Sequence, residues 1–167
     1  MNDFPAEAFG PPPFRFVPVH ERLRVAAFSL FFRLLATVVV AGISGWMFNL
    51  WQAGHLTPRG MTTAVALGWP LAALAIMLYT WWHIVTSKTT LTAGMLHQSW
   101  VWDKKMEVGE LAYGKLIRVR GLDWLIAPRL YVRTLLGKFA VFYAADPSML
   151  AEFERLIAEL QAFRGFR

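Results

Sequence analysis

The sequence predicts an α+β membrane protein. A two-helix transmembrane hairpin is followed by a small antiparallel β-barrel or sandwich that an amphipathic C-terminal helix caps. Residues 34–51 and 64–85 contain no charged residue, short β-prone segments begin at Thr89, and apolar residues near the C-terminus recur at helical spacing. We therefore divide the chain into an arm (1–20), the hairpin (21–87, with helices at about 25–51 and 64–86), a domain (88–163) and a tail (164–167).

Composition sets the first limits on function. Apolar residues make up 56% of the chain, against about 45–50% in a soluble domain. There is no cysteine, which excludes disulfides, thiol catalysis and cysteine metal sites. The net charge is +6. A basic surplus on a membrane protein favours anionic lipid headgroups, and because the basic residues are spread along strands we do not expect nucleic acid as a partner.

The two uncharged runs have the length of membrane spans. As helices that rise about 1.5 Å per residue they would be about 27 Å and 33 Å long, and a hydrocarbon core is roughly 30 Å thick. Small residues at four-residue spacing, among them Gly45 and Gly68, predict that the two helices approach closely.

Charges and tryptophans predict the orientation of the hairpin. Four arginines precede the first run, Arg59 is the one basic residue of loop 52–63, and twelve basic residues follow the second run. The positive-inside rule then places both termini in the cytoplasm. Arg33 is interpreted as an interfacial anchor, with a functional intramembrane charge as the alternative. The predicted anchors are Arg22, Arg24, Arg33, Trp46, Trp51, Trp81 and Trp82.

The arm is rich in proline and phenylalanine. It holds five prolines, with Phe4, Phe9, Phe14 and Phe16 between them. The arm is either a partly ordered tail, which its terminal position favours, or a segment whose aromatic side chains dock on the domain or on a partner.

The second half of the chain alternates strand and turn signals. Strands are predicted at 89–92, 96–102, 106–108, 112–120, 129–134 and 138–143, with glycines 94 and 137 in turns and a turn or single helical turn at 109–111. Asp146 is a good N-cap and Pro147 suits the first position of a helix. The apolar stripe of that helix consists of Met149, Leu150, Phe153, Leu156, Ile157 and Leu160.

In this order the segments resemble the bacterial membrane-anchored pleckstrin-homology (PH)-like domain proteins. The resemblance is carried by residues 89–96, 106–111 and 128–134, Gly137 and the Asp146–Pro147 helix start, and it spans about residues 20–163. It implies a PH-like binding or assembly module at the inner face of the membrane, without enzyme activity. Phosphoinositide-binding members of the wider superfamily carry basic residues around the loop between their first two strands. The loop assigned to that place, 92–95, has none, so phosphoinositide is not expected as a ligand.

No residue pattern indicates catalysis. The four histidines, at 20, 55, 83 and 97, lack a second ligand at metal spacing, and the sequence has neither a glycine-rich phosphate loop nor a nucleophile elbow. We therefore expect no enzyme activity, no bound metal and no cofactor.

Two features are candidates for binding. One is a set of basic residues in the domain, and the other is the apolar loop 121–128 together with the hairpin tip at 135–136. The candidate lipid or partner contacts are Lys104, Lys105, Arg118, Arg120, Trp124, Arg129, Arg133 and Lys138.

The expected function is that of a non-catalytic scaffold or accessory protein of the bacterial inner membrane. Its domain would bind a neighbouring membrane protein, or another copy of the chain, at the cytoplasmic face. The alternative is a module that senses anionic lipids. In both cases the bilayer itself is a partner, and the short distance from Val85 to Thr89 keeps the domain at the membrane surface.

Overall fold

The computed structural model describes residues 13–56, 63–119 and 121–165 of the chain. It confirms the α+β class, with two apolar helices, antiparallel strands and a C-terminal helix. A 3₁₀ turn, Val108–Glu110, joins the fourth strand to the fifth. The elements are β1 (Arg22–Ala26), α1 (Leu30–Gln52), α2 (Thr63–Thr86), β2 (Lys88–Thr92), β3 (Met95–Gln98), β4 (Lys104–Glu107), β5 (Leu111–Ile117), β6 (Arg129–Thr134), β7 (Phe139–Tyr143) and α3 (Pro147–Arg164).

The strands of the described residues form two antiparallel sheets. One has the order β1-β2-β3-β4 and the other the order β5-β6-β7. The helix α3 begins as predicted, with the Asp146 carboxylate accepting a hydrogen bond from the Ser148 backbone N–H. Its apolar stripe is buried in one core with residues of both sheets, such as Leu91 of β2 and Leu130 of β6. Among the described residues no strand pairing joins the two sheets, so the barrel that the prediction allowed is not closed.

The first strand lies where the sequence predicted the hairpin helix to begin. Residues 22–26 pair antiparallel with β2 along their full length, from Arg22 opposite Thr92 to Ala26 opposite Lys88. Leu23 and Val25 pack against the core, which explains why apolar residues alternate with Arg22 and Arg24 along β1. Helix α1 begins only at Leu30, because the Ser29 hydroxyl accepts a hydrogen bond from the Phe32 backbone N–H, 3.1 Å away, and so caps it. The predicted start near residue 25 is wrong.

The helix pair is therefore an insertion between two paired strands. The Ala27 backbone N–H donates to the Ser87 carbonyl at 3.1 Å, which continues the ladder one step toward the helices. The two helices therefore connect to the same end of two adjacent strands, side by side. The domain and the helix pair are thus joined by two adjacent chain segments, without a flexible linker between them.

Helices α1 and α2 are long and apolar enough to cross a membrane by length and composition. Their apolar windows have mean hydropathies of 1.8 and 1.2, and of the side chains described in the two helices Val40 alone is buried. The Trp81 indole N–H of α2 donates to the Thr37 hydroxyl of α1 at 2.9 Å. A Cβ added at Gly45 or Gly68 would meet no atom within 4 Å, so these glycines do not mark a close approach of the helices, contrary to prediction.

Side chains, not backbone pairing, connect the first sheet to the exposed edge of β7. The Gln98 side-chain oxygen accepts from the Tyr143 backbone N–H at 3.2 Å, and the Thr89 hydroxyl donates to the Tyr143 carbonyl at 2.5 Å. Both polar side chains are buried. Two polar side chains thus satisfy the backbone groups that a further strand would otherwise pair.

The described part of the arm docks on the domain. Phe14 and Phe16 are buried in the core, and the Phe14 backbone N–H donates to the Gly109 carbonyl at 3.1 Å. The Arg155 guanidinium of α3 lies 4.8 Å from the centre of the Phe16 ring and also donates to the Val17 carbonyl. Residues 13–20 thus dock on the domain, which was the second of the two alternatives that the sequence left open for the arm. Residues 1–12 lie outside the described part.

We predict that Gln98→Leu destabilises the protein by about 1–3 kcal/mol, because it leaves the Tyr143 N–H buried without an acceptor. Thermal unfolding of the full chain in detergent measures the effect. The matched control is Gln161→Leu on the exposed side of α3, where the same change is expected to stay within about 0.5 kcal/mol. Equal shifts for both variants would contradict the bridging role of Gln98.

Truncation of the docked arm should be costly as well. Phe16→Ala removes a ring that is 1% exposed, and a buried Phe→Ala change costs about 3–5 kcal/mol. Val17→Ala, at a neighbouring residue that is 74% exposed, is the control. An unchanged melting temperature in Phe16→Ala would show that the arm contributes nothing to the fold.

Candidate functional site

The outward side of the second sheet presents a regular array of side chains. In antiparallel strands, residues directly opposite each other share a face. The register gives three such rows across β5, β6 and β7, and the opposite face packs against α3, where Gly114 lies close to Ile157. We call the outward array the basic aromatic face; its rows are Ile117–Arg129–Tyr143, Lys115–Tyr131–Val141 and Tyr113–Arg133–Phe139.

This face combines aromatic surface with positive charge. Phe139 is 60% exposed and Tyr113 is 46% exposed. Tyr131 stacks on Phe139 with ring centres 5.5 Å apart. The array has three cationic side chains, Lys115, Arg129 and Arg133, and no carboxylate. A ligand that covered it would bury aromatic rings and would need negative charge.

Tyr143, at one end of the face, is contacted by two cations. The Arg129 guanidinium and the Lys104 ammonium each lie 5.5 Å from the centre of the Tyr143 ring. Lys104 also donates to the Val141 carbonyl at 3.1 Å. Burial lowers the pKa of Lys104 from its ordinary value. Neither cation takes part in the ion pairs found among the described residues.

The same ring connects the face to the start of α1. Phe28 contacts Tyr143 at 5.5 Å and Trp100 at 5.4 Å between ring centres. Trp100 in turn contacts His83 in the last turn of α2, at 6.1 Å. Aromatic contacts therefore link both helices to the domain at the point where the chain passes between them.

The predicted apolar loop lies at this junction. The Trp124 ring meets Phe31 of α1 edge-on, 4.5 Å between centres, and the Ser29 hydroxyl donates to the Leu125 carbonyl at 3.5 Å. Trp124 remains 54% exposed. The hairpin tip at 135–136 is at the other end of β6, about 17 Å away along the strand. The two apolar segments that the prediction grouped together are therefore separate.

The predicted basic residues do not form one surface. Arg129 and Arg133 lie on the basic aromatic face, and Lys104 lies beside it. Arg118 follows the end of β5 and pairs with Glu154 of α3 at 3.0 Å. Lys105 is on β4 opposite His97, in the first sheet, and Lys138 follows the exposed β6–β7 turn. Arg120 lies outside the described part of the chain. The array also contains Lys115, which the sequence did not single out. In a strand at 113–117, residues 113, 115 and 117 share one face, and this spacing could have identified Lys115.

The predicted anchors occupy four kinds of place. Arg22 and Arg24 are on β1, and Arg33 is in the first turn of α1, where its Nε is buried without a hydrogen-bond partner among the described residues. Trp81 turns toward α1. The remaining predicted tryptophan anchors have exposed side chains: Trp46, Trp51 and Trp82.

The loop used to argue against phosphoinositide binding does not connect the first two strands. Because β1 precedes the helices, residues 92–95 join the second strand to the third, and the helix pair is the connection between the first two. The absence of basic residues in this loop therefore does not argue against phosphoinositide binding. The ligand has to be inferred from the charged side chains on the surface of the domain.

Comparison with known proteins adds no assignment: no family model, curated protein or solved structure matches the chain. Among the described residues no group of three or more histidine, aspartate or glutamate side chains could hold a metal ion. The arrangement described above supports contact with an anionic, partly apolar partner.

Proposed function

We propose that the chain is a multi-pass protein of the bacterial inner membrane, crossing twice, with both termini in the cytoplasm. The length and hydropathy of α1 and α2 support two crossings. The pairing of β1 with β2 supports a common side for both ends of the helix pair. The basic residues flanking the helices favour the cytoplasm as that side.

We further propose that the domain is PH-like. Seven antiparallel strands of the described residues are followed by one helix that packs on the core, which is the element order on which the resemblance rests. The main departure is the position of the first strand, which precedes the helix pair.

The function that the geometry supports best is a non-catalytic scaffold or accessory role, in which the domain binds a neighbouring membrane protein. The basic aromatic face carries this proposal. Exposed tyrosine, phenylalanine and arginine are the residue types that interfaces enrich. Its first row contacts the helix junction, through Tyr143 and Phe28. A protein partner covers the other two rows as well, and it supplies acidic residues to a face that has none.

A second function, sensing of anionic lipid, is favoured by one observation. Lys104 and Arg129 both lie at the Tyr143 ring, which contacts Phe28 beside the start of α1, and neither is neutralised by an ion pair among the described residues. The two functions are compatible, because a lipid could bind at the helix junction while a protein partner covers the other two rows of the face.

The topology is tested by cysteine labelling, since the natural chain has no cysteine. In spheroplasts, His55→Cys in the loop after α1 should react with a membrane-impermeant maleimide. Leu136→Cys, at a residue that is 88% exposed in the domain, should react only after lysis. The reverse pattern would overturn the orientation, and labelling of both in intact spheroplasts would overturn the crossing.

The scaffold role is tested by photocrosslinking in membranes of cells that produce the protein naturally. A benzoylphenylalanine at Phe139 should give a discrete adduct with an integral membrane protein or a second copy of the chain. Charge reversal by Arg133→Glu should reduce that adduct at least about tenfold, as expected for a desolvated charge pair worth 2 kcal/mol or more. The control is the same probe at Trp102, which is 80% exposed outside the face. No adduct at Phe139, or equal adducts at both positions, would contradict the proposal.

A further inference from the structure

A groove opens beside the start of α1, where the helix meets the domain. Its volume is about 320 Å³. One wall consists of apolar side chains of the α1 region, and the other of the 125–127 segment; Arg129 and Tyr143 also line it. The groove therefore has an apolar part along the helix and a cationic part at the sheet.

The apolar part follows the helix toward its uncharged run. Phe28 and Phe32 are in ring contact, 5.5 Å between centres, and Leu35 follows on the same side of α1. Leu35 is five residues into the helix, about 7.5 Å along its axis. It is 43% exposed. A hydrocarbon chain that follows α1 would meet these side chains in succession.

The cationic part lies at the other end. Because Arg129 and Lys104 are each 5.5 Å from the centre of one ring, their charged groups are at most 11 Å apart. Arg129 lines the groove and Lys104 adds positive charge at the same ring, and neither takes part in the ion pairs found among the described residues. Phosphate oxygens are strong acceptors for both side chains.

We propose that the groove binds one anionic phospholipid, with an acyl chain along Phe32 and Leu35 and the phosphate at Arg129, where Lys104 on the same Tyr143 ring adds positive charge. The proposal depends on the membrane insertion inferred above but not on a protein partner. Charge complementarity and the continuity of the groove with the apolar surface of α1 both point to a lipid molecule. A free phosphate would leave the apolar part uncovered.

The proposed site should prefer a lipid with an anionic headgroup over one with a zwitterionic headgroup. The full chain, purified in detergent with an equimolar mixture of phosphatidylglycerol and phosphatidylcholine, should retain phosphatidylglycerol preferentially in native mass spectrometry. Arg129→Gln and Lys104→Gln should each lower that preference about fivefold, as expected for the loss of one basic contact near an anionic headgroup. The matched control is Lys138→Gln, after the β6–β7 turn at the far end of β6, which should leave the preference unchanged.

A second arm uses the unaltered chain and therefore does not depend on how the variants fold. Phosphatidylglycerol with a photoreactive acyl chain should label residues 28–35 or 125–127 more than the matching phosphatidylcholine does, and excess soluble glycerol phosphate should not compete. Equal labelling by the two lipids, full competition by glycerol phosphate, or equal losses in variants and control would overturn the proposal. If cysteine labelling in spheroplasts shows the proposed topology, such a result counts against the lipid site alone.

Discussion

The pairing of β1 with β2 is the constraint on which the rest of the structure depends. These strands are adjacent in the sheet but are separated in the chain by the whole helix pair. Their ladder brings the entry and exit of the helices together, and Ala27 and Ser87 extend it to the helix ends. As a result, residues on both sides of the helix pair belong to one domain. A fragment that begins at Thr89 would lack β1 and the docked phenylalanines, and so would not represent that domain.

Tyr143 is the second point on which several elements converge. Its backbone is satisfied by the side chains of Gln98 and Thr89, which connect the two sheets without closing them. Its ring contacts Phe28 at the start of α1 and two cations. Buried polar side chains of this kind are costly unless their hydrogen bonds are made, so they restrict the ways in which the two sheets can pack. The position of the ring beside the helix junction follows from that restriction.

Much of the fold could be predicted because its signals are local. Strand β6 has its predicted bounds, and α3 begins at its predicted cap. The strand at residues 22–26 was missed because its apolar residues run into an apolar helix, and only a partner strand distant in sequence distinguishes the two. Docking of the arm was only the second alternative for a similar reason, since burial of Phe14 and Phe16 depends on a core assembled from later residues. Of the predicted basic residues, Arg118 pairs with Glu154 of α3 and not with the others, because an alternating segment does not reveal which face α3 will cover.

The sequence by itself determined the two apolar helices, the α+β class, the order of the later strands and the lack of any cysteine chemistry, because all of these follow from composition and short-range periodicity. Only the tertiary structure decided that the helices are inserted between paired strands. It also decided which cations share a face and that two of them meet at one aromatic ring beside a groove. Such features are set by contacts between residues far apart in the chain, and sequence spacing does not encode those distances.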